Sequence, residues 1–204
     1  FGRTELSTVD TAFLIGGMLF AARWFDGDHA DEGEIRRLSQ AIYERIEWPW
    51  AVIRDNRITM GWHPEKGFIQ ADWSVYNEGM IVLLLALGSP THPVAASVWD
   101  EWCSVYDRSW TDRWGPAHLH FGPMFGHQYS HMFIDFRTIQ DAWMRGQSAQ
   151  MGEYLDYFEN SRRATLSQRA YGADNPNKWV DYGADIWGLT ACDGPGMIQG
   201  PDPR

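Results

Sequence analysis

Apolar residues recur along most of this 204-residue chain at the three-to-four-residue spacing of helices, interrupted by Gly- and Pro-rich loops. Residues 7–25 open with Ser7 and Asp10 in capping-box spacing and then run strongly apolar, with Gly16-Gly17 permitting close helix contact. Residues 34–47 are amphipathic, with Ile35, Leu38, Ile42 and Ile46 on one stripe. The pattern then breaks. VIRDNRITMGW (52–62) reads as a hairpin turning at Asp55-Asn56, and WHPEKGF (62–68) reads as a loop. Helices are predicted again at 74–87 and 93–107, and the stretch 108–126 is irregular and rich in Trp, His, Gly and Pro. Two further helices are predicted near 127–144 and 151–170, followed by loop to the end, and no internal repeat is present. About six helices joined by long, Trp-rich loops predict an all-α domain whose loops gather at one end to form a ligand cleft.

A hydrophobic fraction of 44% with mixed charge fits one sizeable domain with its own core. The 12 Trp, 10 Phe and 8 Tyr exceed what packing usually requires. Such an excess marks proteins that stack on sugar faces, although rings also pack well in large helical cores. The net charge of −10 and the lack of any Lys/Arg block exclude a nucleic-acid footprint and argue against a polyanionic substrate. Cys103 and Cys192 lie in dissimilar contexts without metal-type spacing, so two free buried thiols are expected. The longest apolar run, MIVLLLALG (80–88), falls short of the roughly 18 residues of a membrane span. No signal peptide is visible and the first residue is not Met, so the chain reads as a mature product or as a piece of something longer.

Glycosidic cleavage uses one carboxylic acid to protonate the leaving oxygen and a second carboxylate to activate water or attack the anomeric carbon. Glu78, in ADWSVYNEGMIVLLL, stands where a Trp-rich loop (Trp62, Trp73, Tyr76) meets a wholly apolar helix. Burial there would raise its pKa as a general acid requires, while a capping or helix-dipole role would explain the same position. Asp10 fits the Ser7-x-x-Asp10 capping box, and Glu159 in YFENSRRAT fits an i,i+4 ion pair with Arg163. His127, His131 and Asp135 follow H-x3-H-x3-D, which on a helix puts all three on one face. That spacing can hold a metal, but a buried polar ladder lining a cleft, with Arg137 and Tyr129 nearby, explains it better without a fourth ligand. Asp185, Trp187 and Asp193 form a loop cluster in which Trp187 is either a sugar platform or an anchor. With no Gly-rich phosphate loop and no G-x-S-x-G, nucleophilic Ser or Cys catalysis has no support.

The strings VDTAFL (9–14), EIRRL (34–38), MGWHPEKGF (60–68), YNEGM (76–80), LALGSPTHP (85–93), HQYSHMFIDFR (127–137), YFENSRRATLSQRAY (157–171) and WGLTACDGP (187–195) closely resemble the bacterial glycoamylase-like domain. That family includes endo-β-1,2-glucanases and the related domain of cyclic β-1,2-glucan synthases. The resemblance implies an all-α (α/α)6 toroid, of which residues 1–204 would be the central part, about half of one catalytic domain. Further segments of that domain would then lie elsewhere. It implies a glycoside hydrolase acting on β-glucan, most simply an endo-β-1,2-glucanase. The alternatives are a retaining transglycosylase domain of a cyclic glucan synthase, or a non-catalytic glucan-binding fragment. In that reading Glu78 is the general acid, Asp10 lies beside the cleft, and Glu159 is the nucleophile if the mechanism retains configuration. Trp62, Tyr76, His131, Asp135, Arg137, Trp187 and Asp193 would contact substrate, with an oligo- or polysaccharide as partner and no metal or organic cofactor. A hydrolytic member would be periplasmic or secreted, and a cyclic glucan synthase domain cytoplasmic.

Overall fold

The computed structural model of the chain describes residues 4–191. Helices α1 (Thr8–Trp24), α2 (Ala30–Glu44), α3 (Met80–Leu87), α4 (Ser97–Cys103), α5 (Tyr106–Ser109), α6 (Ala142–Met151) and α7 (Tyr157–Asp174) carry the architecture. Between them lie strands of two or three residues: β1 (Leu6–Ser7), β2 (Val52–Arg54), β3 (Arg57–Ile58), β4 (Gly61–His63), β5 (Gly67–Phe68), β6 (Trp110–Thr111) and β7 (His118–Leu119). They pair antiparallel as β1-β4-β5, β2-β3 and β6-β7.

The core is built around α3. Met80, Ile81, Val82, Leu83 and Ala86 are all essentially inaccessible, as expected of a helix apolar on every side. α1 and α2 pack together beside it, and Tyr43 in α2 donates from its hydroxyl to the Leu85 carbonyl at 2.7 Å. Ser7 caps α1 by accepting from the Asp10 N–H at 3.2 Å. At the next residue, buried Thr8 donates to the Thr59 carbonyl at 2.8 Å and accepts from the Trp73 indole at 2.8 Å. These bonds fix the start of α1 against the hairpins and against the loop that leads into α3. The close approach expected at Gly16 occurs: a Cβ there would meet the Phe133 ring at 3.2 Å.

On the other side, Asp141 ties three elements to one carboxylate. Its Oδ1 caps α6 by accepting from the Met144 N–H at 2.7 Å. Its Oδ2 accepts from the Trp99 indole (3.2 Å), the Cys103 thiol (3.3 Å) and the Tyr157 hydroxyl (2.8 Å). Burial beside this carboxylate pushes the Cys103 thiol and the Tyr157 phenol well above their ordinary ranges. Cys103 is a free thiol, and Cys192 lies outside the described residues.

Several sequence expectations are corrected. The hairpin turning at Asp55-Asn56 forms, with both residues at positive φ (43° and 58°), whereas 61–68 is a second hairpin rather than a loop. α2 begins earlier, at Ala30, because His29 caps it. Its buried face is Ser39 and Tyr43, while Leu38 and Ile42 of the predicted stripe remain exposed. The helix expected from 74 starts only at Met80, because Val75 sits at φ 66° and Asn77 turns back to accept from the Gly79 N–H. The helix expected over 93–107 divides into α4 and α5. The largest departure is 127–144. Residues Met124–His127 and Tyr129–Met132 form two 3-10 turns, and the α-helix begins only at Ala142. The helix expected over 151–170 is displaced to α7, because Gly152 ends α6 in the left-handed region and Asp156 caps the next helix.

Candidate active site

Glu78 lies at the entry to α3, two residues before its first helical residue. The N-cap of α3 is Gly79 and no side chain caps the helix, so Glu78 does not serve as its cap, while Asn77 Oδ1 accepts from the Gly79 N–H at 2.8 Å in the turn ahead of it. The Glu78 carboxyl is half-buried, and its Oε2 is shielded from solvent and has no hydrogen-bond partner. A Cβ added at Gly126 would stand 2.3 Å from the Phe121 ring and 3.2 Å from that oxygen. The 121–126 loop therefore closes over the carboxyl only because residue 126 has no side chain. Burial pushes the Glu78 pKa up, against a weaker opposing backbone hydrogen bond. A carboxyl whose proton is held more tightly than usual by burial beside aromatic surface has the direction of shift that a general acid needs.

Next to Gly126, His127 is only 2% exposed, and neither ring nitrogen has a hydrogen-bond partner. Burial first, and the neighbouring His118, His120 and His131 after it, push its pKa down to about 3, so the ring is neutral. A weak backbone interaction with Phe121 opposes that shift without satisfying either nitrogen. The ring stacks on Tyr76, with centroids 5.4 Å apart. Tyr76 was expected at the substrate but is completely buried, and its hydroxyl meets His131 Nε2 at 3.0 Å and Ser161 Oγ at 3.1 Å. Ser161 Oγ and His131 Nε2 lie 3.0 Å apart, closing a triangle. Burial lowers the His131 pKa, with Asp135 and Asp156 opposing.

The single face expected for His127, His131 and Asp135 does not exist, because the segment is not an α-helix. His127 points into the interior, His131 belongs to the Tyr76–Ser161 triangle, and Asp135 folds back on Arg137 at 2.6–2.8 Å on the surface. Asp135 and Arg137 are thus an exposed, mutually satisfied pair, and Arg137 holds the Asp135 carboxyl well down, to about 2.

Glu159 sits in the first turn of α7 rather than at mid-helix. Its carboxylate accepts from Arg162 (2.7 and 3.0 Å) and from the buried Arg163 (2.9 Å), and these bonds hold its pKa down. Asp10 is exposed and shares a groove of about 540 Å³ with Glu5, Leu14 and Trp62. Trp62 meets Trp50 edge-on at 6.1 Å. Trp187 is pressed onto α7, where a Cβ at Gly172 would lie 2.5 Å from its own Cβ, so it anchors the loop. That loop is also tied by the Gln168 side chain accepting from the Leu189 N–H and by the Met124 N–H donating to the Leu189 carbonyl. Asp193 lies outside the described residues.

The structure therefore brings Asp10 and Trp62 into one groove and Tyr76, His131 and Ser161 into one triangle, with Glu78 under the 121–126 loop. Ser161, Arg162 and Phe158 were missed in sequence. The D-x-x-E box at Asp156 and Glu159, had it been read as a helix start, would have placed these residues on α7 facing His127 and His131.

Known proteins resemble this chain in sequence and in fold. Residues 70–201, more than half of the chain, match the Glycoamylase family model, described as "Putative glucoamylase". An exo β-1,2-glucooligosaccharide sophorohydrolase of Parabacteroides distasonis is 25% identical over 96% of this chain and 29% of its own length. A structure from Bacteroides uniformis, described as a putative glucoamylase, superposes with a TM-score of 0.78 at 31% identity, covering 93% of this chain and 45% of the other. An endo-β-1,2-glucanase of Chitinophaga pinensis, solved with sophorotriose and glucose, superposes with a TM-score of 0.76 at 26% identity over 90% and 44%. The chain thus spans less than half the length of each of these relatives. It belongs to the Glycoamylase family and carries part of its (α/α)6 toroid.

Proposed function

We propose that this chain is part of one catalytic domain that hydrolyses β-glucan, with β-1,2-linked glucose as substrate and Glu78 as general acid. The observation that carries the reading is the solvent-shielded, unpartnered Oε2 of Glu78 at the mouth of an apolar helix, with its pKa raised by burial. The proton on that carboxyl passes to the glycosidic oxygen as the C–O bond breaks, leaving Glu78 ionised. A water adds to the anomeric carbon and gives its proton to a second carboxylate. On this chain Asp10, exposed in the groove with Trp62, is our candidate for that role. Trp62 is the ring we assign to a sugar face, Asp135, Arg137 and Asp193 are kept as candidates for substrate contact, and Trp187 is reassigned to anchoring its loop.

Glu159 suits the role of nucleophile less well, since two guanidinium groups occupy its carboxylate and it serves as their anchor. This favours inversion over retaining transglycosylation. The names of the sophorohydrolase and the endo-β-1,2-glucanase support the linkage. A hydrolase of this kind would act in the periplasm or outside the cell.

The test is incubation of the protein with linear β-1,2-, β-1,3-, β-1,4- and α-1,4-glucans, with products followed by chromatography and the first anomer by NMR. Oligosaccharides from the β-1,2 polymer with inverted configuration are expected. Release from α-1,4-glucan alone would refute the substrate, and retained configuration would return Glu159 to the reaction.

A further inference from the structure

The 121–126 loop covers the Glu78 carboxyl, yet its only regular structure is the start of one 3-10 turn at Met124. Its tethers come from α7 and from the 187–189 segment. Gln168, on the buried face of α7 and 8% exposed, donates from Nε2 to the Gly122 carbonyl at 2.6 Å. Through Oε1 the same carboxamide accepts from the Leu189 N–H at 2.8 Å. The Leu189 carbonyl in turn accepts from the Met124 N–H at 2.7 Å. These three bonds close a ring that passes through a single side chain. One turn further along α7, Trp187 is seated at Gly172, which fixes the segment lengthwise on the helix.

A buried glutamine has to satisfy both ends of its amide, and a residue serving only its own helix can do so close by. Gln168 instead directs its donor and its acceptor to two separate loops, 46 and 21 residues away. We propose that Gln168 is a positioning residue for the general acid: its carboxamide staples the 121–126 loop to the 187–189 segment and so keeps water away from Glu78. Without the staple, Gly122 and Leu189 lose their partners, the loop lifts and water reaches the carboxyl. Glu78 then gives up its proton at lower pH. The titratable groups on neighbouring elements leave this reading intact. Asp10 on α1 is exposed, and α3 brings none. His118, His120, His127 and His131 are all pushed toward the neutral form by burial, and Glu159, Arg162 and Arg163 on α7 are paired with one another.

The inference rests on Glu78 being the acid, and its test separates the two. Gln168→Met keeps the length and bulk of the side chain and removes both amide bonds. Glutamate carboxyls are labelled with ¹³C and followed by NMR through a pH titration, the Glu78 signal being identified by its loss in Glu78→Gln. In Gln168→Met the Glu78 midpoint should move down toward the ordinary 4.5. The Leu189 and Met124 amides should exchange with deuterium faster while those of α7 do not change. The basic limb of kcat/KM on linear β-1,2-glucan should shift to lower pH together with the midpoint. A folded Gln168→Met protein in which Glu78 titrates as in wild type would overturn the staple and leave the hydrolase reading standing. A midpoint that moves while the basic limb stays, or while wild type leaves the glucan intact, would keep the staple and remove Glu78 as the acid. If Gln168→Met does not fold, Gly126→Ala displaces the same loop from the Glu78 side, and an unmoved Glu78 midpoint there would overturn the proposal.

Discussion

At the residue scale, the catalytic role proposed for Glu78 rests on its poor solvation. A carboxyl whose pKa is raised on folding is favoured in its neutral form, so the folded state loses stability as pH climbs above the ordinary value of 4.5. Glu78→Gln removes that penalty. Thermal denaturation should show the variant to be more stable than wild type at pH 7, with the difference closing below pH 4.5. As a general acid, Glu78 should also set the basic limb of kcat/KM, with activity falling as pH rises through its raised pKa. Equal melting temperatures across that range would mean the carboxyl is better solvated than its position indicates. The sequence located Glu78 through the junction of a Trp-rich loop and an apolar run. It could not show that Glu78 leaves α3 uncapped or that Gly126 lets the 121–126 loop close over the acid. Those facts depend on contacts distant in sequence.

At the scale of elements, local signals read well where the backbone itself encodes them. The Ser7 cap and the Asp55-Asn56 turn depend on one or two residues and appear as expected. The H-x3-H-x3-D segment failed because spacing alone implies a face only if the helix exists. Here Gln128 leaves helical geometry at φ −120°, and the histidines are engaged by Tyr76 and Ser161 from other elements instead. Asp141 illustrates the same dependence: an unremarked loop residue proves to join α4, α6 and α7. Asp141→Ala removes a helix cap and leaves the Tyr157 and Cys103 donors without their acceptor. It should cost about 3 kcal/mol in urea denaturation. A loss under about 0.5 kcal/mol would mean that water replaces the carboxylate freely.

At the scale of the molecule, α1 shows an outward stripe with Leu14 (61% exposed), Phe20 (59%) and Trp24 (71%), and Leu38 and Ile42 of α2 are also open. An apolar surface of this kind favours association. The 204-residue chain should therefore self-associate in sedimentation velocity, and Phe20→Ser with Trp24→Ser should shift it toward monomer. A monomer at all concentrations would show that the stripe is well tolerated in water. The toroid class was readable in sequence only through family resemblance, because helix periodicity gives the number of helices and not their closure into rings. The central claim remains that Glu78 protonates the leaving glucosyl oxygen. Its most direct test is the initial rate of sugar release from linear β-1,2-glucan by wild type and Glu78→Gln, with circular dichroism confirming equal folding. A loss of roughly 10²–10⁴-fold is predicted, and an undiminished rate in the folded variant would contradict the account.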